Sequence, residues 1–126
     1  MRLFTLAVLL VAFVANGSQT QKRDPCKGET TADMKLCSAG RYKLADDELN
    51  RVYRRLLAKL DDENHRTTLK TAQQAWLKYR DTNCDFVSYL NRGGSIYSVV
   101  VTECMIDMTN SRRKELNEEI HTLEQL

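Results

Sequence analysis

The chain has 126 residues, enough for about one domain. Its 19 basic and 17 acidic side chains leave a formal net charge of +2, which removes any strong electrostatic reason to expect a nucleic-acid partner. Five glycines and one proline exclude a collagen-like or low-complexity chain, and 42% hydrophobic residues fit an ordinary globular domain.

Met1-Arg2 makes a short positive start, and Leu3–Val14 is an apolar run. Ala15-Asn16-Gly17 then places small residues at the first and third positions of a cleavage site. This order of charge, apolar stretch and small exit predicts a secretory signal peptide over 1–17. The run is too short for a membrane span, which needs ~20 residues. Cleavage after Gly17 leaves a single domain, 18–126, at a net charge of +1, free in the periplasm or secreted, with no membrane anchor.

Residues 18–26 are polar and hold Pro25, so they read as an arm. Thr30 and Asp33 can form a capping box, with Asp in the place of the usual Glu. Tyr42, Ala45, Leu49, Val52, Leu56 and Leu60 then recur at steps of three and four, the spacing of an amphipathic helix. Asp61-Asp62-Glu63-Asn64 breaks the pattern and suits a new helix start. The next stripe is Leu69, Ala72, Trp76, Tyr79, Asn83, Phe86 and Leu90. Gly93-Gly94 should stop that helix, and Ser95 can cap a third that carries Leu116, Ile120 and Leu123. Ser98–Thr102 is rich in β-branched residues, which favour a strand. No partner strand is visible, so helix is expected there as well. The fold class is all-α, with three long antiparallel helices.

Four cysteines in an exported chain read as two disulfides. Three pairings are possible. Cys84 and Cys104 each lie ten residues from Gly94, so a hairpin closed there sets them at one height. Cys26 and Cys37 are close enough in sequence to staple the arm to the first helix. The expected bridges are Cys26–Cys37 and Cys84–Cys104. No zinc spacing occurs, and His65 and His121 stand apart.

No nucleophile elbow, metalloprotease helix, phosphate loop or dinucleotide fingerprint is present. The acidic clusters 46–48 and 61–63 lie in polar surroundings, unlike the apolar pocket that raises a catalytic carboxyl. No enzyme activity, metal or cofactor is expected. In the hairpin register Trp76 meets Arg112, and Arg80 meets Met108 beside Asp107. A guanidinium on the indole face and an Arg80–Asp107 ion pair follow. Trp76, Arg80, Asp81, Asp107 and Arg112 are therefore assigned structural roles. The loop Asn91, Arg92, Gly93, Gly94, Ser95, Ile96, Tyr97 is the best partner-binding candidate, with a cation, exposed backbone N–H groups and an aromatic on a narrow turn; Arg92, Gly93, Gly94, Ser95 and Tyr97 are its expected contact residues.

Several ordered signatures carry a resemblance. They are Thr31-Ala32-Asp33-Met34 with Cys37, Ala45-Asp46-Asp47-Glu48-Leu49-Asn50 with Tyr53, and Gln74-Ala75-Trp76 with Tyr79-Arg80-Asp81 and Cys84. Gly93-Gly94-Ser95-Ile96 and Cys104 with Thr109, Arg112, Glu115 and Leu116 complete the string. The chain resembles the LprI-type lysozyme inhibitors, a bacterial family also called DUF1311, over about 26–116. The resemblance implies a small exported helical protein that binds a lysozyme rather than catalysing a reaction. The other reading is an envelope-stress or periplasmic interaction domain with a different partner. A lysozyme cleft carries two carboxyls, and Arg92 could pair with them.

Overall fold

A computed structural model describes residues 23–126, and the expected signal peptide lies outside them. Among the described residues there are three long helices and no strand: α1 (Thr31–Lys59), α2 (Glu63–Val87) and α3 (Tyr97–Glu124). Short 3-10 turns cover Pro25–Lys27 and Tyr89–Asn91. The helices run up, down and up, so α1 and α3 are parallel.

Local chemistry sets the starts. At α1 the Asp33 backbone N–H donates to the Thr30 hydroxyl at 3.1 Å, and the Thr30 backbone N–H donates back to the Asp33 carboxylate at 3.3 Å. The Thr30 hydroxyl also donates to that carboxylate at 2.6 Å, and Arg23 reaches its other oxygen at 3.0 Å. These bonds satisfy backbone donors that a helix start leaves free. The arm passes very close here. A Cβ on Gly28 would lie 2.2 Å from the Asp33 carboxyl carbon, so only glycine fits. Cys26–Cys37 ties the arm to the second turn of α1. At α2 the Asp62 side chain accepts from the His65 backbone N–H at 2.7 Å.

Two boundaries differ from the expectation. The second helix ends at Val87, before the glycines, because the chain tightens at the fully buried Ser88 into a 3-10 turn. Ser95 does not cap α3, which starts at Tyr97 after Ile96 with no side-chain cap. The β-branched run 98–102 is helical, and the Thr102 hydroxyl donates to the Ser98 carbonyl at 2.7 Å.

Close packing is mainly between α1 and α3. Leu49, Val52 and Leu56 of α1 meet Leu116 and Ile120 of α3 in the buried core. Tyr53, Leu69, Trp76 and Leu123 pack around it. Three ion pairs follow the α1–α3 seam in order: Arg41–Glu103 at 2.7 Å, Glu48–Arg113 at 2.6 Å and Lys59–Glu124 at 2.8 Å. Each is partly exposed and contributes little energy, but together they mark a parallel register.

The stripe expected to bury α2 is the main departure. Leu69 and Trp76 reach the core. Tyr79, Phe86 and Leu90 face out, at 58%, 75% and 95% exposure. Gln73, Arg80 and Cys84 take the buried side instead. One residue turns a helix by about 100°, so the face of Arg80 and the face of Tyr79 cannot both point inward. The Cys84–Cys104 bridge and the bonds of Arg80 set the rotation.

The Thr30 hydrogen bonds, with help from Arg23, hold the Asp33 carboxyl below the usual carboxylate range. A carboxylate with a depressed folded pKa stabilises the fold above its unfolded pKa, about 3.9. That contribution is lost as pH falls through the folded value. Thermal unfolding followed by circular dichroism should therefore show Asp33→Asn melting below the parent at pH 7. The gap should narrow from about pH 5 downward. A gap independent of pH would contradict this role.

Candidate functional site

Arg80 is 5% exposed and touches all three helices. Its Nε donates to the Asp81 carboxylate at 2.9 Å, and Nη1 donates to the buried Thr109 hydroxyl of α3 at 3.3 Å. Asp46 of α1 completes the charge balance at 3.6 Å. The guanidinium carbon lies 5.4 Å from the ring centroids of both Tyr42 and Trp76, within cation–π range. Burial raises the Tyr42 phenol pKa, while the Arg80 charge pulls the other way. Arg112 approaches the Trp76 ring at 5.9 Å, and its Nε donates to Gln73 at 3.1 Å.

The expected Arg80–Asp107 pair is absent. Asp107 is exposed on α3, and its backbone carbonyl accepts from the Ser111 hydroxyl. Arg80 turns toward α1 and its own neighbour Asp81 instead, because Asp46 and Tyr42 stand one turn apart on α1 and frame the guanidinium. Tyr42, Asp46 and Thr109 were not singled out as partners of Arg80. Their signal lies in α1, where Asp46 follows Tyr42 at i,i+4.

The candidate loop is held from both ends. Cys84–Cys104 closes the hairpin behind it, with the Cα atoms 5.6 Å apart. Backbone N–H groups of Asn91, Arg92, Gly94 and Tyr97 donate to the carbonyls of Ser88, Tyr89, Asn91 and Gly94 in turn. Gly93 has φ +80°, a left-handed conformation that favours glycine. Arg92 is not a free cation: it pairs with Asp85, stacks 4.8 Å from the Tyr89 ring centroid, and shares Asp85 with the Tyr97 hydroxyl. These bonds hold the Asp85 carboxyl low. The sequence reading missed Asp85, the acid nearest the loop, seven residues before Arg92. It also missed that Tyr89 and Leu90 beside the loop are exposed.

The acidic clusters are engaged in structure. Asp47 takes Lys43, Glu48 takes Arg113, Asp62 caps α2, and Glu63 faces Arg66 and Lys70. His65 and His121 are exposed. Among the described residues no cluster could hold a metal ion. A groove of about 420 Å³ opens between α2 and α3, floored by Leu69, Ala72 and Leu116 and rimmed by Arg112 and Glu115.

A family model described as "Lysozyme inhibitor LprI" matches residues 23–116. An uncharacterised protein of Rhizobium meliloti (strain 1021) is 30% identical, with 94% of each chain covered. The crystal structure of a DUF1311 family protein from Pseudomonas putida KT2440 superposes with a TM-score of 0.66 at 21% identity. The match covers 71% of this chain and 93% of that one. At that identity the likeness establishes the fold.

Arg80 supplies a planar fork and a stacking surface, which a lysine lacks. Arg80→Lys should lower the urea unfolding free energy by about 1–3 kcal/mol, through lost bonds to Thr109 and Asp81 and lost stacking. Arg112→Lys, at a wetter position, should cost less. An Arg80→Lys protein as stable as its parent would contradict the role given to the guanidinium.

Proposed function

The chain belongs to the LprI family of lysozyme inhibitors, and on that premise we propose that it is an exported protein that inhibits a lysozyme-type muramidase by binding it. The family match over most of the described chain carries this reading. Two disulfides fit an oxidising compartment. The start of the sequence fits export. No helix among the described residues is long and apolar enough to cross a membrane.

The contact surface in this reading is the loop Arg92–Tyr97. It is narrow, and its shape is set in advance by the disulfide, the turn bonds and the Arg92–Asp85–Tyr97 cluster. A preformed loop loses little conformational entropy on entering a cleft. The partnered Arg92 serves the loop's shape rather than acting as a free charge seeking the cleft carboxyls. Pairing Arg92 with Asp85 also leaves the tip close to neutral, so a basic lysozyme meets little local repulsion.

A cell-wall lysis assay with animal lysozyme tests the reading. The oxidised protein should inhibit lysis in a dose-dependent way, and reduction of its disulfides should abolish the effect. Arg92→Ala, which frees the loop, and Ser95→Trp, which adds bulk at an exposed position, should each weaken inhibition by about tenfold. No inhibition at tens of micromolar by a protein of intact helicity would reject lysozyme as target and favour another envelope partner. Inhibition untouched by both variants would move the contact away from this loop.

A further inference from the structure

The outward face of α2 has the pattern of a helix seam with no other helix packed on it among the described residues; Arg92 lies against its end, stacked on the Tyr89 ring. Ala72, Ala75, Tyr79, Thr82, Phe86 and Tyr89 recur at alternating steps of three and four, with Tyr89 in the 3-10 turn that continues the helix. All six are exposed. This is the spacing by which two helices interlock knobs into holes. Contiguous apolar surface of this kind is uncommon on a monomer unless something covers it. We infer that a second copy of this chain covers it, with the two α2 helices packed antiparallel.

Side-chain size sets the direction of the pairing. In an antiparallel pair with its two-fold axis between Arg80 and Asp81, Ala72 faces the mate's Tyr89. Ala75 then faces Phe86, and Tyr79 faces Thr82. Every layer joins a small residue to a bulky one, and the two-fold axis repeats each layer. A parallel pair would set alanine on alanine and phenylalanine on phenylalanine, leaving gaps at one end and crowding at the other. Close packing disfavours both. The face is thus complementary to itself in one direction only, as a two-fold interface requires.

Charge agrees with size. Lys78 and Asp85 sit on the same edge of the seam, seven residues apart. The antiparallel arrangement brings Lys78 of each copy beside Asp85 of the other, whereas a parallel pair places this edge on opposite sides of the seam and makes no such contact. Leu90, 95% exposed, lands near Ala72 of the mate, at the mouth of the groove between α2 and α3. This proposal does not depend on the lysozyme reading.

Sedimentation equilibrium on the oxidised protein tests it. A dimer should dominate at roughly 100 µM, and Phe86→Glu should weaken association by about tenfold or more. The Phe86 side chain is exposed, so helicity and thermal midpoint at low concentration should stay as in the parent. Direction is read by cross-linking. A mixture of Ala75→Cys and Phe86→Cys proteins should form a mixed disulfide dimer on mild oxidation, and Ala75→Cys alone should not. A monomer at that concentration would overturn the proposal, as would a dimer indifferent to Phe86→Glu or efficient cross-linking of Ala75→Cys with itself. If the protein is monomeric and Phe86→Glu instead weakens lysozyme inhibition, the face belongs to the lysozyme contact and the self-association is rejected.

Discussion

A buried cation must find partners on every side, and Arg80 finds them on three helices. Tyr42 and Asp46 come from α1, Trp76 and Asp81 from α2, and Thr109 from α3. An uncompensated charge in this place would cost several kcal/mol, so the surrounding groups cannot rearrange independently. The α1–α3 pair already has an apolar core of its own around Leu49, Leu56, Leu116 and Ile120. Arg80 and the Cys84–Cys104 bridge fasten α2 to that pair. The rotation of α2 is then fixed, and its apolar stripe is turned to solvent.

That division of labour shapes what the molecule offers a partner. One end carries a short loop fixed by a disulfide, a left-handed glycine and the Asp85 cluster. The flank of α2 carries an exposed aromatic stripe. In the two acidic clusters, Asp46, Asp47, Glu48 and Glu63 face basic side chains and Asp62 caps α2. The loop and the stripe are the features that the proposed binding role draws on, in keeping with membership of the LprI family.

Much of this was legible in the sequence. The stripe Ala45–Leu49–Val52–Leu56–Leu60 is buried as its spacing predicts, because its apolar face packs mainly against α3. The capping box at Thr30 is local chemistry and needs no tertiary knowledge. The second stripe misled because periodicity shows that a helix has an apolar face without showing what covers it. Arg80 and Gln73 occupy the inward face of α2, and their burial depends on partners distant in sequence. Arg92 misled in the same way: its charge is visible in the sequence, but its pairing with Asp85 depends on how the chain turns at Ser88.

Native-state hydrogen exchange on Arg80→Met most directly tests the claim that Arg80 fastens α2 to a self-sufficient α1–α3 pair. Protection should fall most for α2 amides between Gln73 and Asn83. Amides around Leu49, Val52, Leu116 and Ile120 should keep most of theirs, because local opening can be confined to one cooperative unit. An equal loss of protection in all three helices, or no loss in α2, would contradict the account.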